Sequence, residues 1–232
     1  MSVGVLLAIV KAECRDLLLE AEAKQLLSLQ GIPTTLCSEA KSADEAVALA
    51  ESIGYPVVLK ALSLKAIHKS DIGGVQLNLR NAQEVRQGYE AIAAVLVPVD
   101  QAGTVTVQEM VQAGIETIVG VTRDVHFGPI LMFGLGGVFT EILRDMAFAL
   151  IPIREGDAWR MITSVKGYLL LQGYRGQPRV NLDSIIDILL RLSSLVEEHP
   201  EIEELDLNPV IVHENDAIVV DARIRIGCRQ SA

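Results

Sequence analysis

The chain has 232 residues, half of which are hydrophobic, and a formal net charge of −10 at pH 7. This length predicts one large domain or two small ones, each with its own core. The acidic balance argues against a nucleic-acid partner, because no excess of basic side chains neutralises phosphates. The three cysteines are scattered and form no C-x-x-C pair, which is typical of thiols in a reducing compartment, so we expect a cytoplasmic protein.

The N-terminal segment opens with a short apolar run that ends at Lys11. The run is too short to cross a bilayer, and it lacks the basic start and cleavage site of a signal peptide. We therefore expect no membrane partner. Residues 1–16 are interpreted as an N-terminal extension that packs as a strand.

The next part of the chain alternates between helical and strand patterns. A helix is predicted from Cys14 to the Gly31 region, and a second helix after Ser42, which has the spacing of a capping box with Glu45. A third helix is predicted after Asn81. Apolar or alternating runs predict strands over residues 55–62, 74–79 and 103–111.

The second half begins with further strand patterns and continues with two helices and a closing hairpin. The strands are predicted over residues 112–124, 129–137 and 139–153, the helices over 156–173 and 181–200, and the hairpin over 202–224. This combination of helices and strands predicts an α+β fold of two α/β lobes, residues 17–108 and 109–225, followed by a tail, residues 226–232. A cleft between two such lobes is a common ligand site.

Lys60 and two glutamates are the first candidates for contacts to a ligand. Lys60 ends a buried strand, where a lysine needs either a partner or an anion such as a nucleotide phosphate. Glu109 and Glu116 flank a glycine break; each is either a solvated acid or an acceptor for ribose hydroxyls or base amines. Met110 and Val111 offer backbone groups and an apolar wall for an adenine ring.

Three oxygen-bearing residues of the closing hairpin form the strongest candidate site. Asp206 and Asn208 lie two residues apart and therefore share one face of a strand, and Asp221 ends the next strand. Carboxylate and amide oxygens on a rigid hairpin suit Mg²⁺, which keeps water and nucleotide phosphates in its shell. The alternative is a polar hairpin face without a ligand.

His68 lies in the stretch AIHKSDIGGV, just before the strand at 74–79. A lone histidine is a surface residue, a metal ligand or a nucleophile that accepts a phosphoryl group. The metal alternative lacks a second ligand at suitable spacing. In the nucleophile alternative, the Gly73 and Gly74 amides lie close to the phosphoryl group and offset its charge.

Four segments taken together resemble one family: GYPVVLKALSLKAIHKSDIGGVQLNL, VQEMVQAGIETIVGV, FGPILMFGLGGVFTEILRDMAFALIPI and ELDLNPVIVHENDAIVVDARI. They resemble the ATP-grasp β subunit of ADP-forming acetyl-CoA (acyl-CoA) synthetases, which are related to succinyl-CoA synthetase. The resemblance implies an ATP-grasp fold with a nucleotide cleft. It also implies a Mg²⁺-dependent reaction in which acyl-CoA, ADP and phosphate yield acid, CoA and ATP.

The resemblance also implies roles for individual residues. His68 corresponds to a second site of a phosphohistidine relay, and Lys60 to the phosphate-binding lysine. Glu109 corresponds to the hinge acid and Glu116 to the acid beside the ribose. The Mg²⁺ ligands correspond to Asn208 and Asp221, with Asp206 close by.

The CoA-binding half of such an enzyme is absent from the pattern, so the resemblance implies a separate α subunit in an assembly such as α2β2. Two alternatives remain open. One is a catalytically reduced regulatory or binding module of the same type, and the other is an ATP-grasp carboxylate–amine ligase, which would not need the histidine.

Overall fold

The protein is described by a computed structural model, which covers residues 1–63, 73–100, 102–137, 145–176 and 178–227. The helices within these ranges are α1 (Val3–Ala12), α2 (Glu20–Leu29), α3 (Ala43–Ile53), α4 (Ala82–Leu96), α5 (Glu155–Ser164), α6 (Tyr168–Leu171) and α7 (Leu182–Glu198). The strands are β1 (Cys37–Ala40), β2 (Val57–Leu62), β3 (Val75–Leu79), β4 (Thr104–Glu109), β5 (Ile115–Asp124), β6 (Gly128–Leu135), β7 (Met146–Leu150), β8 (Ile202–Val212), β9 (Ala217–Val219) and β10 (Ala222–Ile226). The α+β class predicted from the sequence is confirmed.

The chain separates into two compact units. The four-stranded unit contains residues 19–21 and 35–112, and the six-stranded unit contains residues 1–18, 22–34 and 113–232. The observed division differs from lobes of 17–108 and 109–225 mainly because most of α2 groups with the C-terminal half of the chain.

The four-stranded unit holds an antiparallel sheet in the order β1-β4-β2-β3. Helices α3 and α4 cover one face of it, and their apolar side chains form a cluster with alternate residues of β2 and β4. The predicted caps are confirmed, since Ser42 accepts from the Glu45 amide at 3.1 Å and Asn81 accepts from the Glu84 amide at 3.0 Å.

The six-stranded unit holds an antiparallel sheet in the order β10-β8-β5-β6-β7, with β9 paired to the far end of β8. One face of this sheet packs against the apolar side of α7 and against α5, which form the larger core cluster. Strand β8 alternates core residues such as Leu205 and Leu207 with the polar residues Glu204, Asp206 and Asn208. The polar residues of β8 therefore lie on the open face of the sheet.

The interpretation of residues 1–16 as a packing strand is wrong, because residues 3–12 form helix α1. Ser2 caps the helix by accepting from the Val5 amide, at 3.4 Å. The buried residues Val3, Leu7 and Val10 recur at helical spacing and belong to the core of the six-stranded unit. The segment is thus an integral part of that core.

Two other predicted elements are interrupted. The helix expected over 156–173 breaks after Ser164 and resumes as the short α6, and the second strand of the closing hairpin is divided at Val220 and Asp221 into β9 and β10. None of the helices that the structure describes is long and apolar enough to cross a membrane.

Candidate functional site

Four polar side chains lie together within the four-stranded unit, and we call them the polar cluster: Glu20, Lys60, Thr106 and Gln108. Lys60 of β2 and Thr106 of β4 are Cα partners, and Gln108 follows on the same face of β4. The neighbours of Lys60 along β2 belong to the apolar cluster under the helices, so Lys60 projects from the opposite face. All four residues are buried.

Hydrogen bonds connect the whole polar cluster. Lys60 Nζ donates to Glu20 Oε1 at 2.8 Å, and Gln108 Nε2 donates to the same oxygen at 2.9 Å. Gln108 Nε2 also lies 3.1 Å from Thr106 Oγ1, and the Thr106 hydroxyl donates to the Lys60 carbonyl at 3.3 Å. The partner that a buried lysine requires is therefore a carboxylate of the same unit.

The end of β4 carries the next predicted residues. Glu109 Oε1 accepts from the Leu36 amide at 3.0 Å, which fixes this carboxylate against the loop before β1. The Met110 amide donates to the Pro56 carbonyl at 3.3 Å, and its side chain is exposed. Val111 is half-buried. The contacts of all three with a nucleotide stay predictions.

Gly73 and Gly74, which precede β3, differ in how closely they contact the rest of the unit. The Gly74 carbonyl accepts from the Ala61 amide at 2.7 Å, so this residue is tied to β2. Gly73 has φ of +74° with no atom within 4 Å of a Cβ built on it, a backbone conformation that favours glycine. His68 lies outside the described residues, so its predicted role is untested.

Glu116 in the six-stranded unit packs directly beneath a glycine turn. It lies at the start of β5, and its carbonyl accepts from the Gly136 amide at 2.7 Å. A Cβ on Gly136 would lie 2.8 Å from Glu116 Cβ and 3.1 Å from the Glu116 carbonyl carbon and oxygen. A Cβ on Gly137 would lie 3.8 Å from Glu116 Oε2. The turn therefore needs glycine at 136 to approach Glu116 this closely.

The hairpin residues predicted to hold a metal are brought together. Arg223 is the Cα partner of Asp206, and the Asn208 amide donates to the Asp221 carbonyl at 3.2 Å. Asp206 and Asn208 are exposed on the open face of the sheet, and Asp221 is half-buried. The predicted juxtaposition of these three residues is therefore present, although Asp221 lies between two strands rather than at the end of one.

The electrostatics of this group favour a cation. Partial burial raises the pKa of Asp206 above its ordinary value even though the side chain retains solvent contact, and the negative charge of Asp221 raises it further. Arg223 opposes both effects. Two carboxylates that repel each other are relieved by a divalent cation.

Asp206, Asn208 and Asp221 suit Mg²⁺, which needs few protein ligands, better than they suit a metal ion whose ligands all come from the protein. Among the residues that the structure describes, no three His, Cys, Asp or Glu side chains form a metal-binding group. Two carboxylates and one amide would bind Mg²⁺ with water and phosphate oxygens completing its shell. Mg²⁺ bound there would neutralise phosphate charge.

A pocket of about 220 Å³ lies beside these residues on the same sheet. Gly120, Met132 and Phe148 contribute apolar surface, and Asp206 and Arg223 contribute charge. Gly120 is the Cα partner of both Met132 and Asp206, while Phe148 lies on β7 and Arg223 on β10, so the pocket extends over five strands of the sheet. An apolar floor bordered by a few charged groups is typical of a small-molecule site.

A family model described as an ATP-grasp domain matches residues 9–226. The chain belongs to the ATP-grasp family. The fold predicted from the resemblance is therefore confirmed, and the matched region begins within α1, which the sequence had assigned to an extension.

Two relatives show how this ATP-grasp chain corresponds to larger enzymes. It is 45% identical to the β subunit of acetate–CoA ligase [ADP-forming] I of Pyrococcus furiosus, over 92% of this chain and 93% of the relative. It is 44% identical to acetate–CoA ligase [ADP-forming] II of Archaeoglobus fulgidus, over 92% of this chain but only 31% of the relative. The ATP-grasp chain thus matches either a whole subunit or one part of a longer chain.

Solved structures agree with this correspondence. A chain of acetyl-coenzyme A synthetase 1 from Ca. Korarchaeum cryptofilum, in complex with coenzyme A and Ca-AMPCP, superimposes with a TM-score of 0.94 at 45% identity, covering 97% of this chain and 100% of that chain. Another structure of that enzyme, with a TM-score of 0.86 at 44% identity and the same coverage, contains Mg-AMPPCP and a phosphohistidine segment that points towards the nucleotide-binding site.

Sequence reasoning missed Glu20, Thr106 and Gln108 as members of the polar cluster. Glu20 lies 40 residues from Lys60 and 88 residues from Gln108 along the chain. No local spacing links such distant positions, and Glu20 lies in a stretch of ordinary helix formers. The only signal was Lys60 itself, since a lysine in a buried strand predicts a charged partner without naming it.

Proposed function

We propose that this chain is the nucleotide-binding β subunit of an ADP-forming acetate–CoA ligase. The observation that carries the proposal is the near full-length match to a protein named as that subunit, at 45% identity. The ATP-grasp family match, over residues 9–226, includes the polar cluster, the glycine turn over Glu116 and the Asp/Asn hairpin. Each of these features has the chemistry that a phosphorylated ligand requires.

The proposed reaction converts acyl-CoA, ADP and phosphate into the free acid, CoA and ATP. Phosphate first displaces CoA from the acyl group, and a histidine then takes the phosphoryl group from the acyl phosphate and releases the acid. The phosphohistidine finally transfers its phosphoryl group to ADP, which restores the neutral imidazole and forms ATP. The last transfer is the step assigned to this chain.

The roles of the nucleotide-binding residues follow from their chemistry. Lys60 supplies an ammonium to the phosphates, and Glu116 accepts from ribose hydroxyls beside the glycine turn. Glu109, Met110 and Val111 offer acceptors, backbone groups and apolar surface to the base. Asp206, Asn208 and Asp221 would hold Mg²⁺, which shields the charge of the phosphates so that a further phosphoryl group can approach.

We assign the phosphoryl-accepting role within this chain to His68. A neutral imidazole can take and release a phosphoryl group. The amides of Gly73 and Gly74 are near in sequence and offer hydrogen bonds to phosphate oxygens. The phosphohistidine segment in the Korarchaeum structure points to a nucleotide site, which supports a transfer of this kind.

The proposal includes a separate CoA-binding α subunit in an α2β2 assembly in the cytoplasm. The Pyrococcus relative is named as a subunit, whereas the Archaeoglobus relative carries this ATP-grasp part within a single longer chain. The remaining functions would then come from a second polypeptide.

The direct test mixes the chain with its α subunit, acetyl-CoA, ADP, phosphate and Mg²⁺ and measures ATP. We expect ATP only when both chains are present, and no ATP with a verified partner would contradict the proposal. A His68→Ala variant should lose most of the rate. His126→Ala is the matched control, because His126 is exposed on the β5–β6 turn. A His68→Ala complex that keeps the control rate would exclude His68 from the relay.

A further inference from the structure

Glu20 is the one member of the polar cluster that does not come from the sheet. It is the first residue of α2, and its carboxylate is 2.8 Å from Lys60 Nζ. The exposed fractions of the two side chains are only 2% for Glu20 and 7% for Lys60. The ion pair is therefore almost completely removed from water.

Burial makes the position of the ammonium depend on this carboxylate. An uncompensated charge in such a place is strongly unfavourable, so the Lys60 ammonium stays where a counter-charge exists. Lysine has a flexible four-carbon stem and does not fix its own head group. Gln108 donates to the same Glu20 oxygen, at 2.9 Å, and this second donor holds the carboxylate in place.

We propose that Glu20 is a positioning residue, which fixes the Lys60 ammonium on the face of the four-stranded sheet opposite the helices, for contact with nucleotide phosphates. The proposal rests on the phosphate-binding role that the proposed function gives to Lys60. Glu20 itself touches no phosphate, because a carboxylate would repel it. Its effect on nucleotide affinity passes entirely through Lys60.

A double-mutant cycle tests this dependence. The full chain is prepared as wild type, Glu20→Gln, Lys60→Met and the double variant, and the Kd of Mg-ADP is measured by calorimetry. We expect Lys60→Met to weaken binding by about 10- to 100-fold and Glu20→Gln by about tenfold, as for hydrogen bonds to charged groups. In the Lys60→Met background, Glu20→Gln should change Kd by less than about twofold, because sites that act through one another are not additive.

Glu39→Gln is the matched control for the change from acid to amide. Glu39 is exposed on β1, where it is the Cα partner of Thr106, and its carboxylate accepts from the Thr104 hydroxyl at 2.6 Å rather than from a side chain of the polar cluster. It should bind Mg-ADP as wild type does. If Glu20→Gln does not fold, Glu20→Asp keeps the charge but shortens the side chain, and it should weaken binding by an intermediate factor.

The outcomes separate this proposal from the one on which it rests. If Lys60→Met weakens binding while Glu20→Gln binds normally, binds more tightly or adds its full effect in the double variant, the positioning role is overturned and the Lys60 assignment stands. Wild-type affinity of Glu20→Asp, measured on folded protein, also overturns it. Unchanged affinity in Lys60→Met overturns the phosphate role of Lys60 and the positioning role with it.

Discussion

Gly136→Ala should destabilise the protein and disturb Glu116 at the same time. The new Cβ would lie 2.8 Å from Glu116 Cβ and 3.1 Å from the Glu116 carbonyl carbon and oxygen. Two of these three atoms belong to the backbone, so rotation of a side chain cannot remove the overlap. The Gly136 amide also donates to that carbonyl at 2.7 Å, and separating the two residues lengthens this bond.

The size of the effect follows from the cost of forcing an extra carbon into a packed site. Such overpacking costs about 1–3 kcal/mol. For a chain of this length each kcal/mol lowers the melting temperature by about 2–4 °C, so we expect a loss of about 2–12 °C. If Glu116 contacts the ribose, the displaced backbone should also weaken Mg-ADP binding.

Thermal unfolding followed by circular dichroism measures the first effect, and calorimetric titration with Mg-ADP measures the second. Gly156→Ala is the matched control, because nothing lies within 4 Å of a Cβ built on this glycine of α5. Alanine there should leave stability unchanged or raise it by up to about 1 kcal/mol. A Gly136→Ala protein that melts with the wild type would refute the close approach between Gly136 and Glu116.

Three further predictions follow from the hairpin, from α1 and from a helix cap. Asp221→Asn should weaken Mg-ADP binding about tenfold but leave ADP binding in EDTA unchanged. The control Asp216→Asn, in the turn of the same hairpin, should match wild type in both titrations. Equal losses of affinity with and without Mg²⁺ would exclude a metal-binding role for Asp221. Leu7→Ala should lower the free energy of unfolding in urea by about 2–5 kcal/mol, because Leu7 is 1% exposed. The control Ile9→Ala, on the exposed side of α1, should lower it by less than about 1 kcal/mol. Equal losses of stability in the two variants would contradict the packing of α1. Asn81→Ala should lower the free energy of unfolding by about 1 kcal/mol, because α4 loses its N-cap, and Asn81→Ser should lower it much less. Indistinguishable urea midpoints for the two variants would argue against the cap.

The elements that the sequence predicts well carry their own periodicity. Helices α3, α4 and α7 have apolar residues at helical spacing and a capping side chain in front, so both their type and their start follow from local chemistry. Strand β1 was missed for the opposite reason. It has four residues, only one of them fully buried, and it is a strand because it pairs with β4, far away in the chain.

The error at the N-terminus has a similar cause. A short continuous apolar run does not distinguish a buried strand from a buried helix. In α1, Val5 and Ile9 are exposed and Leu6, Leu7 and Val10 are buried, so the run has two sides that its uniform composition conceals. Ser2, which caps the helix, was the local signal that favoured the helical alternative.

The residues of the candidate site also differ in whether local sequence predicts their contacts. Asp206 and Asn208 share a face by the two-residue repeat of one strand, and Asp221 follows in a hairpin, so their proximity is a local property. The partner of Lys60 is not local, and the chain contains 30 acidic residues from which it has to be chosen. The prediction of a helix from Cys14 made this choice harder, because it treated Glu20 as an ordinary interior residue. The observed helix begins at Glu20, so the misplaced helix start and the missed partner of Lys60 concern the same residue.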